Sequence, residues 1–140
     1  MAGILPPVTL SPREQAIQSL EELENGVSLK EGKIKKLNGK LKFGIAYKTG
    51  KWVRKDEFFQ SVGNGSSLAI LTRGKIINFV AKSVNNKKLN IKIKLNDKFI
   101  KHMTISKPQL YEIIKLNNNK INKLTLITKP NLAVYSFSFQ

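Results

Sequence analysis

Three runs in the middle of the chain, Lys75–Val84, Lys87–Leu95 and Lys98–Ile105, constrain its fold more than any other feature. The middle run alternates strictly. Leu89, Ile91, Ile93 and Leu95 fall on one face, and Lys88, Asn90, Lys92 and Lys94 fall on the other. Period two with one apolar face is the pattern of a half-buried antiparallel strand. The runs are separated by Asn85-Asn86 and Asn96-Asp97, pairs that tolerate the positive φ of two-residue hairpin turns. An antiparallel β-meander over 75–105 is therefore expected.

Downstream, Ser106-Lys107-Pro108 reads as a helix opening, with Leu110, Tyr111, Ile113 and Ile114 as the inner surface of that helix. Asn117-Asn118-Asn119 would stop it. Strands at about Lys123–Thr128 and Leu132–Phe139 follow, joined through Lys129-Pro130-Asn131, with Tyr135, Phe137 and Phe139 on one side of the last. Upstream, Leu41–Lys48 and Lys51–Arg54 flank Thr49-Gly50 as a hairpin, and Asp56–Val62 reads as a short helix closed by Gly63-Asn64-Gly65. Leu68–Thr72 is a strand ahead of a turn at Arg73-Gly74. At the start, Pro6-Pro7 form an extended arm, and Ser11-Pro12-Arg13-Glu14 is a capping box. Ala16, Ile17, Leu20 and Leu23 recur at helical spacing up to Asn25-Gly26, giving an amphipathic helix over 12–24 with an acidic outer face. The expected fold class is α+β: an antiparallel β-meander sheet with an N-terminal amphipathic helix and one helix after the meander. Open sheet and OB-type barrel both satisfy the pattern.

The charge is large and uneven. In 140 residues there are 25 Lys+Arg against nine Asp+Glu, a net of +16, and an anionic partner follows from a field of that sign. A Lys-, Asn- and Ile-rich composition also looks like the drift of an AT-rich genome, but drift alone would have raised Asp and Glu as well. Residues 1–31 hold five acids and two bases, a net of −3, while 32–140 hold four acids and 23 bases, a net of +19. The boundary separates an acidic N-terminal arm and helix (1–31) from a basic β-rich nucleic-acid-binding domain (32–140). The helix either packs on the sheet, contacts a partner or another copy, or shields the basic surface.

Several chemistries lack their raw material. There is no Cys and a single His, His102, which removes disulfides, thiolate zinc sites and His-pair metal sites. Gly44 to Gly50-Lys51 departs from a P-loop in glycine spacing and has Trp52 where Ser or Thr is required. Asp56-Glu57 reads as a helix N-terminus, and His102 as a surface or structural residue. No catalytic residue, metal, cofactor or small-molecule substrate is expected. No apolar run approaches the roughly 20 residues of a membrane span, and the first thirty residues lack a secretory pattern. A membrane-surface role would want a basic amphipathic helix, whereas the N-terminal one is acidic. An intracellular location with nucleic acid is expected.

The polar face of the middle strand carries Lys88, Lys92 and Lys94, and its neighbours can add Lys82 on one side and Lys98, Lys101 or His102 on the other. Lysines two apart on a strand stand about 6–7 Å apart, near the phosphate spacing of an extended single strand. Aromatic rings beside such cations stack on bases irrespective of sequence. Trp52, within Lys51-Trp52-Val53-Arg54-Lys55, is the foremost candidate, with Tyr47, Phe43 and Phe79 behind it. Phe58, Phe59, Phe99 and the C-terminal aromatics read as core. The expected nucleic-acid-binding set is Lys51, Trp52, Arg54, Lys82, Lys88, Lys92, Lys94 and Lys101.

The segment Lys75–Leu116 resembles the single-stranded DNA-binding domain of the positive cofactor four family of transcriptional coactivators. Lys75-Ile76-Ile77-Asn78-Phe79-Val80 and Lys87–Leu95 look like its central strands, and Thr104-Ile105-Ser106-Lys107-Pro108-Gln109-Leu110 looks like its strand-to-helix junction. The resemblance implies a dimer clamping a single strand, with Lys88, Lys92 and Lys94 toward the nucleic acid. The two further strands and the long N-terminal third depart from that family. The expected function is binding of single-stranded DNA or RNA without sequence specificity, by a homo-oligomer. The alternative is a virion or ribonucleoprotein assembly protein whose basic face meets packaged genome or RNA.

Overall fold

The computed structural model describes residues 26–29, 34–55 and 57–140. Among them there are twelve strands in two sheets and no helix. The first sheet contains β1 (Gly26–Ser28), β4 (Trp52–Arg54), β5 (Phe59–Ser61), β7 (Ile76–Ser83), β10 (Gln109–Lys115) and β12 (Leu132–Phe139). Its order is β10-β7-β12-β5-β4, with β1 also pairing β12. The second sheet runs β2-β3-β6-β11-β8-β9, from β2 (Ile34–Lys36), β3 (Ala46–Thr49), β6 (Ser66–Thr72), β11 (Asn122–Thr128), β8 (Leu89–Leu95) and β9 (Lys98–Ile105). All pairings are antiparallel except β2 with β3.

The core lies between the sheets. Phe79, Ile77 and Ala81 of β7 and Phe137, Phe139, Val134 and Leu132 of β12 face Ile91 and Ile93 of β8, Leu124 and Leu126 of β11 and Leu68 and Ile70 of β6. The β-branched and aromatic side chains of this set suit a pleated, half-buried surface, and the two inner faces bury one another as in any sandwich.

The expected α+β class is therefore corrected to an all-β sandwich. Residues 107–116 are the clearest case. The apolar set Tyr111, Ile113 and Ile114 mimics helical spacing because β10 carries a bulge between Glu112 and Ile114, where its register on β7 shifts. The bulge turns successive residues inward, while Leu110 faces out and is 47% exposed. The supposed helix opening is a turn held by Tyr111, whose hydroxyl accepts from the Ser106 N–H (3.0 Å) and donates to the Lys107 carbonyl (2.7 Å). In place of the short helix at 56–62, Trp52–Arg54 and Phe59–Ser61 pair as a hairpin. The helix expected over 12–24 lies outside the described residues.

The meander is corrected too. β8 and β9 do form a hairpin, with Asn96 (φ 51°) and Asp97 (φ 68°) supplying the two positive-φ turn positions. But β7 belongs to the other sheet, so the segment through Asn86 (φ 60°) is an arch from one layer to the other. Thr49-Gly50 is likewise an arch: β3 pairs β6, and β4 pairs β5. At Gly50 (φ +85°) a Cβ would stand 2.9 Å from Ser66 Cα, so only glycine turns the chain there. Lys129-Pro130-Asn131 is a third arch, and the Ser61 hydroxyl pins it by donating to the Lys129 carbonyl (2.8 Å) and accepting from the Leu132 N–H (3.0 Å).

A second bulge, between Val134 and Ser136, turns Tyr135 to the outer side of the first sheet, away from Phe137 and Phe139. There it packs with Val80 and Phe58. Burial, and then the negative charge of Glu57, push its hydroxyl up from 10.0 to about 12. The folded state thus favours the neutral phenol. Its stabilisation is complete below pH 10 and is lost as pH rises from about 10 to 12. Tyr135→Phe is expected to flatten that alkaline fall in the urea midpoint relative to wild type; parallel curves would refute the assignment.

Candidate functional site

The outer face of the second sheet is where cations and an aromatic ring meet. Inward Ile91 and Ile93 force Asn90, Lys92 and Lys94 outward, and Lys88 is exposed just before the strand. The cross-strand register sets Lys92 opposite His102 and Lys94 opposite Phe99. On the other flank Ile127 lies opposite Lys92 and Thr125 opposite Lys94. Directly opposed side chains stand about 5 Å apart, so Lys92, Lys94 and His102 form one patch.

Phe99 is the residue that sequence reading missed. It is 53% exposed, with its ring centroid 5.0 Å from that of His102. The signal was Phe99-Ile100, two adjacent apolar residues in a strand beside an alternating one: one of them must leave the core face. The register shift between Ile93 and Lys94, opposite Ile100, makes Phe99 the outward residue.

The expected site residues divide between surfaces. Lys92 and Lys94 come together on β8, while Lys88 lies just before the strand, exposed. Lys101 sits opposite Ile93, half-buried on the core side of the edge strand β9. Lys82 lies on the outer side of the first sheet, its ammonium 4.8 Å from the Phe58 ring centroid. Arg54, on β4, donates from its guanidinium to the Leu29 carbonyl and lies 5.4 Å from the Phe59 ring centroid. Lys51 is exposed in the Gly50 arch, its N–H donating to the Ser66 hydroxyl (3.1 Å). Trp52 is 8% exposed and stacked on Phe59 (5.4 Å between centroids, 1° between planes), with its indole N–H donating to Thr49. A base stacking on Trp52 would have to displace a core ring.

Of the other aromatic candidates, Phe79 is core and Tyr47 is buried, accepting from the Lys42 N–H (2.8 Å). Phe43 is 45% exposed with the Arg73 guanidinium 5.2 Å from its centroid. A cleft of about 260 Å³ between Lys36, Leu37, Lys48, Thr49 and Gly50 is a second cationic feature, at the far edge of the same sheet.

Little negative charge offsets this surface. The described residues include 22 of the 25 bases but only three of the nine acids, Glu57, Asp97 and Glu112. Asp97 is held by Lys123 (3.0 Å) at the tip of the β8–β9 hairpin. Among the described residues no three His, Cys, Asp or Glu side chains are grouped to hold a metal. Among the described residues there is no helix long and apolar enough to cross a membrane.

Known proteins place the fold elsewhere than the positive cofactor four family. A family two carbohydrate esterase from Clostridium thermocellum, solved with cellohexaose, is similar in structure (TM-score 0.61, 10% identity), over 68% of this chain and 31% of that one. The salicylyl-acyltransferase SsfX3 from a tetracycline biosynthetic pathway is similar at TM-score 0.61 and 7% identity, over 83% of this chain and 39% of that one. CsCBM6-3 from Clostridium stercorarium, solved with cellobiose, is similar at TM-score 0.51 and 11% identity, over 66% of this chain and 85% of that one. This chain thus spans well under half the length of the esterase and the acyltransferase. No curated protein sequence matches it.

The resemblance to positive cofactor four is withdrawn on two grounds. The strands that carried it belong to two sheets, and the helix that carried it is β10. A family model described as "Thioredoxin like C-terminal domain" matches residues 21–139, and the chain belongs to that family.

Proposed function

We propose that this domain is a non-catalytic binding module that takes single-stranded nucleic acid on the outer face of its second sheet. The observation that carries the reading is the patch of Lys92, Lys94 and His102 around the exposed ring of Phe99, with Lys88 exposed farther along the same chain segment. Lysines would neutralise phosphates, and Phe99, in the role first given to Trp52, would stack on a base. The domain contains no cysteine, so thiol–disulfide exchange is not chemistry it performs. A sheet face with one ring and no buried polar reader would bind without sequence preference.

A glycan is the second reading. CsCBM6-3 was solved with cellobiose, and Asn90, Thr104 and Thr125 are polar groups on the same outer face as Phe99 that a sugar ring would use. Likeness of fold alone does not carry function, so the charge decides the order of the two readings.

Titration with oligo-dT, duplex DNA and cello-oligosaccharides, at rising salt, separates them. Nucleic-acid binding should weaken by about 0.7 log units per contacted phosphate per log unit of salt. Salt-independent binding of the neutral oligosaccharide, with none of oligo-dT, would overturn the first reading in favour of the second.

A further inference from the structure

The cleft of about 260 Å³ at the β2–β3 edge is built by side chains that the sheet register aims between the layers. Lys48 is paired with Leu68, a core residue of β6, so it projects toward the first sheet. Its ammonium lies 5.6 Å from the ring centroid of Phe59 on β5. Lys36 is the direct partner of Lys48 across the parallel pair, two residues beyond Ile34, which packs on the core. Residues paired in this way share one side of the sheet, on strands about 4.8 Å apart. The two lysines therefore flank one opening, at the opposite edge of the sheet from β9 and Phe99.

Like charges directly opposed across a strand pair are destabilising. The described acids lie elsewhere: Glu57 stands beside Tyr135, Asp97 is held by Lys123, and Glu112 is on β10. The walls of the cleft are nevertheless fixed. The Leu37 N–H donates to the Lys48 carbonyl (2.9 Å), and the Trp52 indole N–H donates to the Thr49 carbonyl (3.1 Å). Both acceptors at this strand end are thus engaged. Gly50 is set against Ser66, whose hydroxyl donates to the Gly63 carbonyl (2.8 Å).

We propose that this cleft binds a phosphomonoester, with the ammoniums of Lys36 and Lys48 on its terminal oxygens. Such a group carries between about 1.5 and 2 negative charges at neutral pH on three acceptor oxygens, which matches two adjacent point charges. A carboxylate is better met by the planar fork of an arginine, and no arginine lines the cleft. Its volume is below the roughly 300–1,000 Å³ of pockets for drug-sized ligands, so it suits a phosphate with a small attached group. Leu37 offers that group an apolar wall. Occupancy of the cleft does not depend on a strand lying over the patch around Phe99.

Amide NMR on the full chain reads the two places separately, through Thr49 and Gly50 at the cleft and Lys92 and Lys94 at the patch. In about 150 mM salt, which screens exposed charges beyond about 8 Å, inorganic phosphate should shift Thr49 and Gly50 saturably and leave Lys92 and Lys94 unmoved. Lys36→Met/Lys48→Met, which keeps apolar stems in place, should weaken that binding at least tenfold, the least expected for loss of charge-assisted contacts. No saturable shift at the wild-type cleft, equal shifts at cleft and patch, or undiminished binding by the variant would each overturn the proposal. Oligo-dT with a 5′-phosphate, against the same oligomer with a 5′-hydroxyl, identifies the source of the group. A cleft shift from the phosphorylated strand alone assigns the site to strand ends. A shift from inorganic phosphate but from neither strand assigns it to small free phosphomonoesters. Equal cleft shifts from both strands would mean that internal phosphodiesters suffice, and would overturn the monoester assignment.

Discussion

Replacing Phe137 with Ala is expected to lower the unfolding free energy by about 3–5 kcal/mol, the range for deleting a fully buried aromatic ring. Phe137 is 1% exposed and stacks on Phe79 at 5.7 Å and 22°. It also sits on β12, a strand with β7 on one edge and both β1 and β5 on the other. The void would open at the centre of the core cluster, where hydrogen-bonded strands on both sides leave little freedom to collapse. A domain of this size has only some 5–15 kcal/mol of net stability, so the variant would unfold at a much lower urea midpoint with an unchanged slope. Phe99→Ala, the same chemical change at a ring 53% exposed, should cost about 0.5 kcal/mol or less. Equal losses for the two variants would contradict the placement of the core.

The contrast between those two rings measures how much of the molecule was legible in its sequence. The strands themselves were: Lys98–Ile105 and Leu132–Phe139 lie at the expected bounds, because alternation and positive-φ asparagines are local signals. Partnership was not. Asn85-Asn86 and Asn96-Asp97 look alike in sequence, yet one opens an arch between layers and the other closes a hairpin. What decides between them is the strand waiting on the far side of the core, dozens of residues away.

Bulges hid the rest. One extra residue at Ile113 changed period two into a spacing that reads as helical, and another at Tyr135 sent that ring to the opposite face. The site was half legible for the same reasons. Lys92 and Lys94 followed from strict alternation on β8. Trp52 was misleading, because adjacent cations in sequence say nothing about Phe59, the ring on which it stacks. Cation-rich surroundings and burial coexist there, since Lys48 and Arg54 reach over Phe59 from its rim.

Reversing the patch should have the larger functional effect. Lys92→Glu/Lys94→Glu replaces two adjacent cations on β8 by anions, opposite His102 and Phe99 and far from the core. If each lysine meets one phosphate, the salt slope for oligo-dT should shrink by about 1.4, twice the 0.7 of a single contact. Repulsion adds to that loss, so affinity at low salt should fall by roughly 100-fold or more, which corresponds to about 2.8 kcal/mol. Stability should change by only about 0.5 kcal/mol, because both side chains lie on the solvent face. Lys115→Glu, on the outer side of the other sheet, has the same sign of charge change and serves as the reference. A net charge of +16 acting as a diffuse field would make a reversal on either sheet weaken binding equally per charge. A localised site would leave the Lys115 variant within about twofold of wild type, while the β8 variant loses both affinity and salt dependence. Comparable losses in the two variants would remove the outer face of the second sheet as the binding site.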